Sequence, residues 1–242
     1  MGVYMNIAML IAGGSGQRMK QDIPKQFINV NDRPVIVYTL EAFQKHPNID
    51  AIAVVCLEGW EEILRAYARQ FNITKLKWVF QGGENGQASL KNGIMGLHND
   101  KSTNGNDMIL IHDAIRPMIS QEIISDNISC CMQYGSAITV IPCAEAMLMT
   151  SDKESSKEAV PREQLARTQT PQAFYLEKLV WAHNEAEKKG ITNSIATCTL
   201  MIELGEKIYF STGSEKNLKL TTTDDIEIFK ALLQSKKDTW IK

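Results

Sequence analysis

The chain has 242 residues, of which 44% are hydrophobic, and its 26 basic and 28 acidic side chains leave a formal net charge of −2. This length and composition suit one α/β domain with a sizeable core, and the balanced charge argues against a nucleic-acid-binding surface. It has no apolar run long enough for a membrane span, and its 5 cysteines show no C-x-x-C spacing, so a soluble cytoplasmic protein with reduced thiols is expected.

Apolar runs alternate with amphipathic patterns over the first 141 residues. Strands are predicted at 7–11, 51–56, 77–80, 108–112 and 137–141, and helices at 35–44, 61–69, 88–97 and 121–132. Strands separated by crossover helices form parallel sheets. The pattern therefore predicts an α/β fold built on a mostly parallel sheet.

The pattern changes between residues 144 and 170, which are polar and rich in charge. This segment is predicted to be a projecting arm with a hairpin tip, and the alternative is a disordered insert. Helices at 176–188 and 224–233 and a strand at 207–210 follow, while the type of 197–204 stays open. Thr222 or Thr223 is the expected N-cap of the last helix. The whole chain, 1–242, is interpreted as one domain that carries the arm.

A glycine-rich segment from Ala12 to Arg18 follows the first predicted strand directly, and Lys25 lies seven residues further on. Glycines allow backbone N–H groups to approach an anion closely, and the two cations add full charge. The nucleoside-triphosphatase loop does not fit, because Gly16 is not followed by Lys and Ser or Thr. The dinucleotide fingerprint has Met19 where its third glycine belongs. A phosphate site is predicted, and an ordinary turn with surface cations is the alternative.

Two further segments, 81–83 and 113–116, follow predicted strands in the same way. Since the carboxyl ends of parallel strands meet at one edge, where ligands of such sheets bind, we expect the three segments to form one site. Asp113 suits a ribose or Mg²⁺, and Arg116 suits a phosphate. The alternative for this pair is a salt-bridged turn. His112 is interpreted as structural because its neighbours are apolar.

With these residues in view, the chain resembles the cytidylyltransferases that form CDP-alditols, the family of the 2-C-methyl-D-erythritol 4-phosphate and ribitol-5-phosphate enzymes. The resemblance covers nearly the whole chain. The motifs that carry it are Ala12-Gly-Gly-Ser-Gly-x-Arg18, Pro24-Lys25-Gln26, Gly82-Gly83 with Ser89, His112-Asp-Ala-x-Arg-Pro117, Thr170-Pro-Gln172 and Asn217-x-Lys-x-Thr221.

The resemblance implies a Rossmann-like, three-layer fold, a homodimer in which the β-arm of each subunit reaches its partner's site, and residue roles. Cytidine-binding positions are Ala12, Gly13, Gly14, Gly16, Gly82, Ser89, Asp113 and Ala114. Acceptor-binding positions are Arg116, Arg162, Thr170 and Lys219, with Arg162 supplied by the second subunit. Catalytic positions are Arg18, Lys25, Arg162 and Lys219, with Asp113 as the ligand of Mg²⁺.

The implied reaction transfers CMP from CTP to an alditol phosphate and releases pyrophosphate. Many methylerythritol-phosphate enzymes carry Arg and Asp where this chain has Gly86 and Ala88, and an Arg-Asp-Thr run where it has residues 144–146. They also carry a Thr-Asp pair where this chain has Ile195-Ala196, unless a shift in the alignment puts Thr192-Asn193 in that place. These departures favour an acceptor such as ribitol 5-phosphate, destined for a surface polymer, over methylerythritol phosphate of isoprenoid synthesis. Competing functions are a sugar 1-phosphate nucleotidyltransferase that uses another base and a non-catalytic nucleotide sensor.

Overall fold

The computed structural model describes residues 4–14 and 23–237. Its strands are β1 (Asn6–Ala12), β2 (Asn29–Val30), β3 (Arg33–Pro34), β4 (Ala51–Cys56), β5 (Leu76–Gln81), β6 (Met108–Asp113), β7 (Ser136–Pro142), β8 (Met147–Met149), β9 (Glu158–Val160), β10 (Ala166–Tyr175) and β11 (Phe210–Thr212). Its α-helices are α1 (Val35–Lys45), α2 (Glu61–Gln70), α3 (Gly86–His98), α4 (Gln121–Tyr134), α5 (Leu176–Lys188), α6 (Thr197–Glu203) and α7 (Thr223–Lys237). None of the helices in these two ranges combines the length and apolar character that crossing a membrane requires.

Within the described residues, seven strands form the central sheet in the order β11-β7-β10-β6-β1-β4-β5. Strands β4 and β6 pair parallel to β1 on its two sides, and β5 pairs parallel to β4. Strand β10 is antiparallel to both β6 and β7. The predicted mostly parallel α/β sheet is thus confirmed, and the chain order reverses between β1 and β6.

Two apolar layers cover the two faces of the sheet. Leu10 of β1 lies in one cluster with residues of α1, α2 and α4, whereas Met9 lies in the other with residues of α3, α5 and α6. Alternate residues of a strand point to opposite faces, so a strand buried on both sides reads as one continuous apolar run. A third cluster around Phe229 packs α7 beside the turn after β6. The result is the predicted three-layer arrangement.

The larger differences from the sequence prediction concern the end of the arm and the last strand, and the type of residues 197–204, left open above, is settled. Residues 166–170, assigned to the arm, are the first half of β10 in the central sheet, so the projecting part ends earlier. This half was missed because it is mostly polar: Thr168, Gln169 and Thr170 line the cavity described below. The segment 197–203 is helical, and the last strand comprises residues 210–212 instead of 207–210.

The predicted hairpin is present as a two-stranded sheet of its own, in which β8 pairs antiparallel with β9. Met147, Leu148 and Met149 are exposed on β8 by 44%, 63% and 56%. Their exposure leaves an apolar strand that none of the described residues covers.

Candidate active site

A cavity of about 720 Å³ opens at the carboxyl edge of the sheet, where the chain order reverses. Its wall combines the loops after β1, β5 and β6 with the start of α3, part of β10, the start of α6 and Lys219. Ligands of open α/β sheets bind at this position, and cavities of about 300–1,000 Å³ suit small-molecule ligands.

A buried glutamine holds the backbone of the loop after β1 through hydrogen bonds. Gln26, 2% exposed, follows Lys25 in a short 3₁₀ turn. Its Nε2 donates to the carbonyl oxygens of Ala12 at 2.7 Å and Gly14 at 3.1 Å. Ala12, Gly13, Gly14 and Lys25 all line the cavity. Gln26 belonged to a predicted motif but had no predicted role. Its burial, which the structure shows, is what indicates that the amide needs hydrogen-bond partners.

The loop after β5 packs closely on the loop after β1. A Cβ atom on Gly82 would lie 3.2 Å from Gly13 Cα, which the neighbouring loop would have to relax, and one on Gly83 would lie 2.6 Å from Ala88 Cβ, which excludes a side chain there. The Gly83 N–H donates to Ser89 Oγ at 2.9 Å. Ser89 lines the cavity together with the glycines of the first loop. These contacts make a compact, small-residue wall whose polar groups are backbone amides and one hydroxyl.

A carboxylate held between two cations lies at the end of β6. Asp113 Oδ2 is 2.9 Å from Arg116 Nε, and Asp113 Oδ1 is 3.0 Å from Lys219 Nζ. Burial raises the pKa of the Asp113 carboxyl, but the charges of Lys219 and Arg116 outweigh that effect and bring the pKa below its usual value. The three groups therefore carry a combined charge of +1 at neutral pH. The salt-bridged turn weighed for Asp113 and Arg116 is present, and it is part of the cavity wall.

His112 is fully buried and neutral. Its Nε2 lies 3.2 Å from the carbonyl oxygen of Arg116, which can only accept, so this nitrogen carries the proton. The Thr170 hydroxyl therefore donates to His112 Nδ1 at 3.0 Å and accepts from the Asp113 N–H at 3.0 Å. Burial lowers the pKa of His112 to about 4. The structural interpretation of His112 fits this geometry, which fixes the backbone of Asp113.

Asn217 joins this network from the segment before α7. Its buried Nδ2 donates to the carbonyl oxygen of Thr170 at 2.8 Å and to Gln169 Oε1 at 3.2 Å. The backbone carbonyl oxygen of Asn217 accepts from Arg116 Nη1 at 2.7 Å. Asn217 thus ties β10 to the turn after β6 and places Lys219 at the cavity, which explains the spacing of the motif that contains both residues.

Most predicted site residues described by the structure line this one cavity: Ala12, Gly13, Gly14, Lys25, Ser89, Asp113, Arg116, Thr170 and Lys219. Gly16 and Arg18 lie outside the described residues. Gly82 packs behind Gly13, and Ala114 is fully buried and accepts the Thr39 hydroxyl at its carbonyl oxygen. Arg162 lies outside the cavity of its own chain, at the base of the arm, where its Nη1 donates to the carbonyl oxygen of Ala144 at 3.0 Å.

The departures from the methylerythritol-phosphate pattern fall partly on the cavity wall. Gly86, Ile195 and Ala196 line it directly. Thr192 and Asn193 are exposed and do not line the cavity. The unshifted alignment, with Ile195-Ala196 in place of a Thr-Asp pair, is therefore the one that the geometry favours.

The cavity's donor set suits a metal that binds with its substrate. Among residues 4–14 and 23–237, no group of three His, Cys, Asp and Glu side chains could hold a metal ion. Mg²⁺ keeps several waters and is bound through one or two carboxylates plus substrate phosphates. Asp113 can supply one carboxylate oxygen if Lys219, whose side chain is 41% exposed, moves away from it.

Comparisons with known proteins identify the family of this chain. The family model described as "IspD: 2-C-methyl-D-erythritol 4-phosphate cytidylyltransferase" matches residues 6–235. A ribitol-5-phosphate cytidylyltransferase of Lacticaseibacillus paracasei is 43% identical, with 96% of this chain and 100% of that protein covered. A 2-C-methyl-D-erythritol 4-phosphate cytidylyltransferase of Clostridium acetobutylicum is 36% identical, with 95% and 98% covered. A crystal structure of a 4-diphosphocytidyl-2C-methyl-D-erythritol synthase superposes with a TM-score of 0.80 at 23% identity over 96% of this chain and 99% of that one. The resemblance predicted from the motifs is confirmed: this chain belongs to the 2-C-methyl-D-erythritol 4-phosphate cytidylyltransferase family, a family of nucleotidyltransferases.

Proposed function

We propose that this chain transfers CMP from CTP to ribitol 5-phosphate, or to an alditol phosphate close to it, with release of pyrophosphate. The observation that carries the proposal is that Lys25, Arg116 and Lys219 line the same cavity as a small-residue wall at Gly13 and Ser89. The cations suit phosphates, and the wall suits a flat pyrimidine held by backbone groups.

The reaction needs no protein base. A phosphate monoester has a second pKa of about 6 and is largely a dianion at neutral pH, ready to attack the α-phosphorus of CTP. His112 is neutral, buried and fully hydrogen-bonded, so it is not available as a base. The protein's task is to hold two anions together and to stabilise the charge on the α-phosphate oxygens, the terms that dominate phosphoryl transfer. Lys25 and Lys219 are the described cations proposed for that role, and Arg18, which lies outside the described residues, is proposed to share it.

A divalent cation, Mg²⁺, is proposed as the cofactor, with Asp113 as its protein ligand. When bound, it would neutralise charge on the triphosphate. In this proposal Asp113 has a second role, since its carboxylate positions Lys219 and Arg116 before the substrates arrive.

Ribitol 5-phosphate is the preferred acceptor for two reasons. The relatives named for it include the Lacticaseibacillus paracasei protein at 43% identity, and Ile195-Ala196 brings no hydroxyl or carboxylate side chain to the wall. We place the acceptor's polyol chain beside residues 195–197, because the glycine wall is assigned to the base, and the cations Arg116 and Lys219 are assigned to phosphate groups. Methylerythritol phosphate is the second candidate, favoured by the family model and by the 36% identical Clostridium relative.

A homodimer with exchanged arms is proposed as the assembly. The exposed strand Met147–Met149 supports it, since an apolar strand of this kind marks an interaction surface. In such a dimer Arg162 would reach the partner's cavity, which is consistent with its place outside its own.

Pyrophosphate release tests the function. CTP, UTP and GTP are each paired with ribitol 5-phosphate, methylerythritol 4-phosphate, glycerol 3-phosphate and arabinitol 5-phosphate. The highest kcat/KM is expected for CTP with ribitol 5-phosphate. A higher value for methylerythritol phosphate would reassign the acceptor, a preference for another base would favour the sugar 1-phosphate enzymes, and CTP binding without turnover would favour a sensor.

A further inference from the structure

One buried side chain connects two walls of the cavity that are far apart in sequence. Gln87, 8% exposed, lies in the first turn of α3, between Gly86 and Ser89 of the cavity wall. Its Nε2 donates to the carbonyl oxygen of Ile191 at 2.6 Å, and its Oε1 accepts from the N–H of Ser194 at 2.7 Å. Both ends of the amide are thus used on one loop, residues 191–196.

The ends of the 191–196 loop, Ile191 and Ala196, pack against the core, and the Ala196 N–H donates to Thr199 Oγ1 at 3.0 Å, whereas the middle of the loop has few attachments. Thr192, Asn193 and Ile195 are exposed, and Ile195 is exposed by 96%. Ser194 is the one buried residue of this loop, and it is the residue that Gln87 holds through its backbone. Since side-chain packing does not fix the middle of the loop, its position depends on hydrogen bonds.

Neighbouring contacts support the same connection. Asn85 accepts from the Ala88 N–H at 2.9 Å as the N-cap of α3, and its Nδ2 lies 3.4 Å from the carbonyl oxygen of Thr192. Ser194 Oγ donates to Glu203 at the end of α6 at 2.8 Å. The start of α3 and the 191–196 loop therefore form one hydrogen-bonded unit.

We propose that Gln87 is a positioning residue for the acceptor, which acts by holding the 191–196 loop, and with it Ile195 and Ala196, at a fixed distance from the nucleotide wall. The proposal rests on the proposed function, which places the acceptor beside residues 195–197. Gln87 does not line the cavity itself, so it acts through the loop and not by touching substrate.

The test replaces Gln87 with methionine, which keeps length and helix propensity but cannot make either hydrogen bond. We expect KM for ribitol 5-phosphate to rise about tenfold, equivalent to about 1.4 kcal/mol, while KM for CTP stays within about twofold because the hydrogen bond between Gly83 and Ser89 is untouched. Amide hydrogen exchange of residues 191–196, measured without substrate, should become faster while exchange in β1 and β6 is unchanged.

Gln44→Met is the matched control. Gln44 also uses both ends of its amide, on Thr74 Oγ1 at 3.0 Å and on the Lys75 N–H at 2.9 Å, but it lies away from the cavity. This variant should leave both KM values and the exchange of residues 191–196 at wild-type levels.

Unchanged exchange of the 191–196 loop in Gln87→Met would overturn the proposal, as would an equal rise of both KM values. Failure of the wild-type protein to turn over CTP with any alditol phosphate would refute the proposed function instead. The exchange measurement needs no substrate, so it decides in that case whether Gln87 holds the loop.

Discussion

Replacing Lys219 with methionine separates the role of the cavity's charge in catalysis from its role in folding. Lys219 Nζ lies 3.0 Å from Asp113 Oδ1, and the lysine side chain is 41% exposed. An ion pair screened to this extent contributes about 0–1 kcal/mol to stability. Methionine keeps most of the apolar stem, so the free energy of unfolding should fall by no more than about 1 kcal/mol.

Turnover should respond much more strongly. If Lys219 stabilises charge that develops on the α-phosphate, its loss resembles the loss of an oxyanion-hole donor, which costs about 3–4 kcal/mol or about 10²–10³ in kcat. Arg116 cannot take over, because its Nε and Nη1 are already bonded to Asp113 and to the carbonyl oxygen of Asn217. The activity loss should therefore exceed what the stability change could explain.

The assay is pyrophosphate release at saturating CTP and acceptor, combined with urea unfolding of the same samples. Lys178→Met is the control, because Lys178 pairs with Glu206 at 2.8 Å and its side chain is 37% exposed, yet it does not line the cavity. It should lose the same small stability and keep its turnover. A Lys219→Met enzyme whose kcat stays within about threefold of wild type would refute the catalytic role.

Three further results are expected. Lys25→Ala should lower kcat by at least about tenfold, and unchanged turnover of the purified variant would remove Lys25 from catalysis. Thr170→Val should cost about 1–3 kcal/mol of stability in urea unfolding, because it leaves the Asp113 N–H and His112 Nδ1 unpaired; a neutral result would contradict the network. Burial lowers the pKa of His112 and of His183 to about 4. Below the unfolded histidine pKa of about 6.5, the unfolded chain therefore binds more protons than the folded chain. The free energy of unfolding should then fall as the pH drops towards 4, by up to about 1.4 kcal/mol per pH unit for each histidine. His183→Gln should reduce this slope, and an unchanged slope would show that folding does not lower the pKa of His183.

The hydrophobic pattern was sufficient to predict the type and the ends of the elements whose surroundings are uniform. Residues 51–56 are buried throughout β4, and their continuous apolar run predicted a strand with the correct ends. Helix α5 was predicted with the bounds that it has, because it buries one face regularly. Since these elements pack on a core and on nothing else, their periodicity reflects a single environment.

Strand β10 shows where that reasoning fails. Its second half packs in the core, but Thr168 and Thr170 face the cavity, Gln169 is bonded to Asn217, and Pro171 interrupts the ladder. Local pattern follows burial, and here the requirements of a binding site replace those of a core. The polar residues that suggested a longer arm are therefore part of the candidate site.

Sequence motifs located the cavity but not the relations between its residues. That the segments 12–18, 81–83 and 113–116 would form one site was predicted from the rule that strands of a parallel sheet end at one edge, whereas Lys219 was assigned to the site by the family resemblance alone. That one carboxylate would bind both Arg116 and Lys219 could not be predicted, because it depends on where Asn217 docks the segment before α7. Gln26 and Gln87 were missed as supports for the same reason: each bonds to backbone groups far along the chain.

The charged groups of the site and the 191–196 loop are held in different ways, which suggests how the site separates the binding of phosphates from the choice of acceptor. In the proposed function, the groups that face phosphate are held by β6, by β10 and by Asn217 in the segment before α7, through the hydrogen bonds of Thr170 and Asn217. Precise placement of charge matters most where the chemistry is common to every acceptor. The 191–196 loop instead depends on a few hydrogen bonds from α3. Loops tolerate sequence change better than the elements they connect, so a change of acceptor can arise at Ile195 and Ala196 while the charge that binds the triphosphate stays in place.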